Sequence, residues 1–188
     1  MKILLIFSLI LIVSNTFFLA KMLFFKKLSL IDELTDLPNY SYLKSYLSKK
    51  KKTNQLALVL LDINNFKAFN RISIHTGDMV LKEFSDVLKL FIKDKALICR
   101  YRLGDEFALV FLDKSKTEIE ETIHLLTSFF EEYVFKCLSE NKDYRIGFCM
   151  GISHLDADAV NFDIFFDAAE LELAKTKMDK EVKRGCLN

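Results

Sequence analysis

The sequence predicts an α/β (α+β) domain in which helices flank a central mixed β-sheet. Gln55 to Ile63 is a nearly continuous apolar run, Leu56-Ala57-Leu58-Val59-Leu60-Leu61, ending at Asp62. Its lack of alternation is that of a strand covered on both faces. Stretches of helical periodicity alternate with apolar strands, which favours a sheet clad in helices. Ala96-Leu97-Ile98-Cys99 and Phe107 to Leu112 lie on either side of Gly104-Asp105-Glu106. Two short apolar runs split by a Gly-Asp pair predict strands joined by a tight turn, and this hairpin makes the sheet mixed rather than purely parallel.

Taken in order, the chain begins with Ile3 to Ala20, 18 residues without a charge. That length spans a hydrocarbon core. Lys2 precedes it, and Lys21, Lys26 and Lys27 follow, which puts the carboxy-terminal side in the cytoplasm. The expectation is a single-pass anchor in the cytoplasmic (inner) membrane with its basic flank, residues 1–27, and a folded domain over 28–188. A cleaved secretory signal is the rival, but Phe17-Phe18-Leu19 before Ala20 makes a poor small-x-small cleavage site. The join is so short that the anchor itself, or a membrane sensor or effector protein beside it, would have to supply the input.

Asn39 is placed to cap a helix through Leu47, with Tyr40, Leu43 and Leu47 on one face. Lys49 to Lys52 reads as a solvated loop. Asn64 to Thr76 is polar with spaced apolar residues. Asp78 to Phe91 is a helix with Val80, Phe84, Val87, Leu88 and Phe91 in one stripe. Ser115 to Val134 is another, lined by Ile119, Ile123, Leu126 and Phe130, with negative charge early in its run. Tyr144 to Ser153 is a strand in which Gly147 and Gly151 mark weakness or close backbone approach. Phe162 to Lys177 is a final helix turning Phe162, Phe165, Phe166, Ala169 and Leu173 inward. From Lys180 the tail is basic, with weak strand potential at most.

Composition narrows the function classes. Lys plus Arg is 27 against Asp plus Glu 26, a net charge of +1, which gives no support for a nucleic-acid surface. Cys99, Cys137, Cys149 and Cys186 are widely spaced, with no Cys-x-x-Cys pair; three of them lie in or beside apolar segments and read as buried thiols of a reducing compartment, and a structural zinc is not expected.

The chemistry gathers at two strand ends. Asp62 ends the central strand, and Asp105 and Glu106 lie in the hairpin that would pair with it. Each has an ordinary surface reading alone, and so has Lys67; it is their combination that points to a site. Adjacent carboxylates repel one another unless a cation or a proton joins them. Asp62, Asp105 and the Ile63 carbonyl supply the oxygens that Mg²⁺ takes. Glu106 could serve as base or second ligand. Asn70 and Asp78 are placed for a purine edge, and Lys67 and Lys175 for phosphate.

At this point the chain resembles the GGDEF family, the diguanylate cyclase domain, over about Leu30 to Lys177. Asp32-Glu33-Leu34-Thr35-Asp36-Leu37-Pro38-Asn39 is similar to the family's opening signature. Asp62-Ile63-Asn64-Asn65-Phe66-Lys67-Ala68-Phe69-Asn70 is similar to its strand-and-turn motif. Gly77-Asp78 matches the start of its helix, and Leu103-Gly104-Asp105-Glu106-Phe107 its name motif. The resemblance implies a dimer that binds one GTP per subunit and condenses two into cyclic dimeric GMP and pyrophosphate. It implies Mg²⁺, or Mn²⁺ in its place, on Asp62, the Ile63 carbonyl and Asp105, with Glu106 activating the 3′-hydroxyl or binding a second ion. Asn70 and Asp78 would read guanine, Lys67 and Lys175 would touch phosphates, and Gly104 would bring backbone against the nucleotide.

The chain departs from the family pattern in places. Leu103 stands where a first Gly is usual, or one Gly is missing from the turn. Arg71 stands where Asp is expected, and the Asn70 to Asp78 interval is one residue short. Met178-Asp179-Lys180 stands where Gly-Arg-Asn is typical, so Asp179 would set a negative charge where the family has an arginine for phosphate. These departures support an alternative: a catalytically degenerate domain that binds GTP or a partner protein as a regulatory module.

Overall fold

Alternation along the central strand sorts the core into two layers. In β1 (Gln55–Ile63), Ala57, Val59, Leu61 and Ile63 belong to one buried cluster and Leu56, Leu58 and Leu60 to another. This computed structural model describes residues 2–28, 30–49, 55–102, 104–138, 144–156 and 162–185. Around β1 the chain runs α1 (Lys2–Leu28), α2 (Tyr40–Lys49), β1, α3 (Phe66–Ile72), α4 (Ile74–Ile92), β2 (Leu97–Arg100), β3 (Glu106–Leu112), α5 (Lys116–Glu132), β4 (Phe148–Asp156) and α6 (Phe162–Gly185), with a short 3-10 turn at Lys136–Leu138.

The four strands lie in the order β2-β3-β1-β4. This is a split β-α-β arrangement, and the helix-flanked α/β class is as expected. The pairing differs from the mixed sheet expected: every ladder among these strands is antiparallel. The crossover through α3 and α4 does leave β2 parallel to β1, but β3 inserts between them. Val80, Phe84 and Leu88 of α4 and Ile119, Ile123, Leu126 and Phe130 of α5 cover one face. Leu43 and Leu47 of α2 and Phe165, Phe166, Ala169 and Leu173 of α6 cover the other.

Local signals set most boundaries. Asn39 Oδ1 accepts from the Tyr42 amide at 3.1 Å, the expected cap of α2. Ser115 and Glu118 form a capping box at α5. The polar stretch after β1 holds a helix the periodicity did not predict, α3, and α4 starts at Ile74 rather than Asp78. Ser73 divides them: extended in backbone, it accepts from the Thr76 amide at 2.9 Å. The basic tail after Lys180 is no strand; α6 continues to Gly185, because Lys, Glu and Arg favour the helix. Apart from Lys49, the four-lysine run lies outside the described residues, as does Cys186. Cys99 and Cys149 are buried as expected, and Cys137 is half-buried.

Close approach at Gly151 seats α6 on β4. A Cβ there would stand 2.1 Å from the Ala169 carbonyl oxygen and 2.3 Å from the Leu173 amide nitrogen. Across the sheet, Glu83 of α4 holds the segment after α5. It accepts from the Tyr133 hydroxyl at 2.9 Å, the Lys136 amide at 2.7 Å and the Cys137 amide at 2.8 Å. Burial works to raise the Glu83 carboxyl, but these bonds and the Cys137 thiol outweigh it and hold it below its ordinary value. Glu83→Ala strands these donors and is expected to cost about 1–3 kcal/mol in urea unfolding at pH 7. A depressed carboxyl contributes stability above its unfolded value of 4.5, which is lost as pH falls through the folded value, so wild type and variant should converge in acid.

Among the described side chains of α1, Leu9, Ile12, Val13, Phe17 and Leu19 are more than half exposed and spread around the helix. Among the described residues no helix is long and apolar enough to cross a membrane, so the span expected over Ile3 to Ala20 finds no support there.

Candidate active site

Strand register brings the predicted carboxylates together. Asp62, near the end of β1, stands directly opposite Glu106, the first residue of β3. The Ile63 amide donates to the Asp105 carbonyl at 3.3 Å, extending the ladder one step into the turn. Asp62 shares the parity of Leu58 and Leu60, and Glu106 that of Ala108 and Val110, so both carboxylates lie on the face covered by α6.

After Ile63 the chain turns sharply. The Asn64 amide donates to the Gly147 carbonyl at 3.0 Å, Asn65 takes the left-handed conformation (φ 57°), and α3 begins at Phe66. This turn walls a hollow of about 690 Å³ that Asp62, Ile63, Lys67, Asp105 and Glu106 all line. Of the other predicted residues, Asn70 packs against Gly77, where an added Cβ would fall 1.9 Å from the Asn70 Oδ1. Asp78, Asp105 and Asp32 act together on the buried Arg100 guanidinium; burial pulls it below its ordinary value and the three carboxylates oppose this. Gly104 sits exposed in the turn with φ +129°, a conformation that favours glycine. Leu103 lies outside the described residues.

Lys175 does not reach the hollow. It is exposed and pairs with Glu172 at 2.7 Å. Lys177 and Lys180 line the hollow in its stead, together with Arg71. Lys177 Nζ donates to Asp62 Oδ2 at 2.5 Å and stands 3.8 Å from Glu106 Oε1. The signal for it was in the sequence. The buried stripe Phe166, Ala169, Leu173 continues by helical spacing to Lys177 and Lys180, whereas Lys175 falls on the far side of the turn. Asp179 is exposed and does not line the hollow, so the charge reversal expected from it falls outside the site.

Burial first, and neighbouring charge second, set the electrostatics of the acidic groups. Burial raises the Asp105 carboxyl, and the nearby Asp62 charge raises it further, against smaller pulls from Lys177 and Arg100. Burial likewise raises Glu106, with Lys177 opposing and Asp62 and Asp105 adding. Burial works to lower the Lys177 ammonium, yet its bond to Asp62 and the charges of Asp62, Glu106 and Asp105 hold it above its usual value. Among the described residues no group of three His, Cys, Asp or Glu side chains is arranged to hold a metal ion.

A sheet end offers Asp62, Asp105 and Glu106 to a hollow that Lys67, Arg71, Lys177 and Lys180 also line, and comparison with known proteins gives the family. A family model described as "Diguanylate cyclase, GGDEF domain" matches residues 29–183. The chain belongs to the GGDEF family. The GGDEF domain of DgcB from Caulobacter crescentus, solved with its coiled coil and cyclic di-GMP, superposes with TM-score 0.75 at 22% identity, covering 89% of this chain and 91% of that one. The FimX GGDEF domain from Pseudomonas aeruginosa gives 0.72 at 15% identity, covering 80% and 94%. At such identities these show the fold. The diguanylate cyclase DgcS of Shewanella oneidensis is 34% identical over 88 residues, 44% of this chain and 29% of that protein. An uncharacterized membrane protein of Staphylococcus epidermidis is 29% identical over 130 residues, 66% of this chain and 36% of that protein. The chain thus spans about a third of these relatives' lengths.

Proposed function

We propose that this chain is a diguanylate cyclase, joining two GTP into cyclic dimeric GMP with release of two pyrophosphates, with two copies facing each other. The observation that carries this is the hollow itself, lined by Asp62, Asp105 and Glu106 together with Lys67, Arg71, Lys177 and Lys180. Four cations suit a triphosphate. The acidic pole offers only oxygen donors, and burial, with the neighbouring carboxylates adding, disfavours the charged forms of Asp105 and Glu106, which a hard divalent ion such as Mg²⁺ or Mn²⁺ would relieve. Asp62, Asp105 and the Ile63 carbonyl would hold it, and when bound it lowers a hydroxyl pKa and steadies charge at phosphorus.

Glu106, its carboxyl raised toward neutrality, takes the proton of the attacking 3′-hydroxyl, since a base works best when its pKa nears the working pH. Lys67, Lys177 and Lys180 bind the phosphates, and Asn70 and Asp78 read guanine. One copy holds half of the reaction, and facing copies convert an encounter into a positioned attack. The test is to incubate the full chain in detergent micelles with GTP and Mg²⁺ and separate nucleotides by chromatography. Cyclic dimeric GMP is the expected product, and its absence at high protein concentration overturns the catalytic reading. The ion pair of Lys177 with Asp62 favours a second reading, a GTP-binding regulatory module, for which saturable GTP binding without product would be the mark.

We also infer that α1 anchors the protein in the cytoplasmic membrane with the GGDEF domain on the cytoplasmic side. What supports this is the charge-free run Ile3 to Ala20, the exposed apolar side chains Leu9, Ile12, Val13, Phe17 and Leu19 within it, and the lysine excess that follows. The full chain should sediment with membranes and stay there in alkaline carbonate; recovery in the supernatant overturns the anchor.

A further inference from the structure

Lys177 stands against Asp62 and Glu106, and Asp62 is one of the two carboxylates that would hold a divalent ion. Strand parity turns those two carboxylates toward α6, and the stripe Ala169, Leu173, Lys177 delivers an ammonium to them at 2.5 and 3.8 Å. Gly151 makes the delivery rigid, because α6 lies against β4 with no side chain between. The Thr176 hydroxyl also donates to the Met150 carbonyl at 2.8 Å, fixing the helix one residue before Lys177. The ammonium itself sits on a flexible four-carbon stem, and Lys177 remains more than a third exposed. The backbone is therefore held while the charge can swing.

Lys67, Arg71 and Lys180 line the same hollow and form no ion pair among the described residues. Of the four cations, Lys177 is the one engaged with the acidic pole. A divalent ion at Asp62 must compete with it, and a triphosphate in the hollow offers it another partner within the same cavity.

We propose that Lys177 is an exchangeable cation: it neutralises Asp62 and Glu106 until nucleotide binds, then passes to the triphosphate and leaves the carboxylates to a divalent ion. This rests on the cyclase reading above. It makes metal and nucleotide mutually dependent, since each removes the obstacle to the other, and such coupling is reciprocal. Metal alone should bind weakly, and metal with nucleotide should bind well.

The test measures binding, not turnover, with the full chain in detergent micelles. Mn²⁺ affinity is read by electron paramagnetic resonance, alone and with a non-hydrolysable GTP analogue. Nucleotide affinity is read by calorimetry at saturating Mn²⁺. Lys177→Met is expected to bind Mn²⁺ alone about tenfold more tightly than wild type, and the GTP analogue about tenfold more weakly; tenfold corresponds to about 1.4 kcal/mol. Lys177→Arg, which keeps the charge, should hold Mn²⁺ affinity near wild type. Lys175→Met, on the exposed side, should change neither affinity, and thermal melts establish that each variant is folded. Unchanged or weaker Mn²⁺ binding by Lys177→Met, with GTP analogue still bound, overturns the exchange and leaves the cyclase reading standing. No Mn²⁺ uptake by any form, with or without nucleotide, overturns the metal site and the exchange together.

Discussion

Asp105→Asn is expected to lower cyclic dimeric GMP formation by roughly 10³-fold or more, about 4 kcal/mol of transition-state stabilisation, while raising the melting temperature. Both effects have one cause. The carboxyl of Asp105 is raised above its ordinary 3.8 by burial and by the charge of Asp62, so it is costlier to ionise in the fold than in the open chain. A carboxylate held that way contributes stability when protonated and loses it as pH rises from 3.8 through the folded value. The amide keeps the shape and removes the charge. The stabilisation of the variant over wild type should therefore grow as pH rises from about 3.8 through the folded value, with about 2–4 °C gained per kcal/mol relieved in a protein of this size. Chromatography of the product and a melting series across pH read the two halves separately. Retained activity would remove Asp105 from the reacting centre. A lower melting temperature at pH 7 would mean that the acidic pole carries no uncompensated repulsion.

Gly151→Ala is expected to destabilise the fold by about 3 kcal/mol or more, with a matching fall in the urea midpoint. The added Cβ meets backbone: the Ala169 carbonyl oxygen at 2.1 Å, the Leu173 amide nitrogen at 2.3 Å and the Leu173 Cα at 2.8 Å. No rotamer change relieves contact with backbone, so α6 must lift from β4. Phe165, Phe166, Ala169 and Leu173 would then lose packing against the sheet, and the Thr176 bond to Met150 would lengthen. Lys177 rides on the same helix, so the variant that does fold should bind nucleotide less well. A urea midpoint within experimental error of wild type would show that the helix and strand have room that the geometry denies.

Much of the fold was legible because its signals are local. The uninterrupted apolar run of β1 announced a strand buried on both faces, and Asn39 and Ser115 announced helix starts through side chains that reach an amide three residues on. α3 was missed because a seven-residue helix leaves too little periodicity to read. The antiparallel sheet was missed because the insertion of β3 beside β1 is a matter of strand order, which no local pattern encodes. For the site, Asp62, Asp105, Glu106 and Lys67 stand where the two strand-end motifs put them. Lys175 and Asp179 do not line the hollow: the motif placed them by spacing, while the inward stripe of α6, also in the sequence, runs on to Lys177 and Lys180.

By itself, then, the sequence determined the family, the helix-clad sheet and the identity of the acidic pole, since each follows from residue type and near-neighbour spacing. Only the tertiary structure decided how close α6 comes to that pole. That distance depends on the contact of Gly151 with Ala169 and Leu173, which brings Lys177 onto Asp62 while Lys175 pairs outward with Glu172.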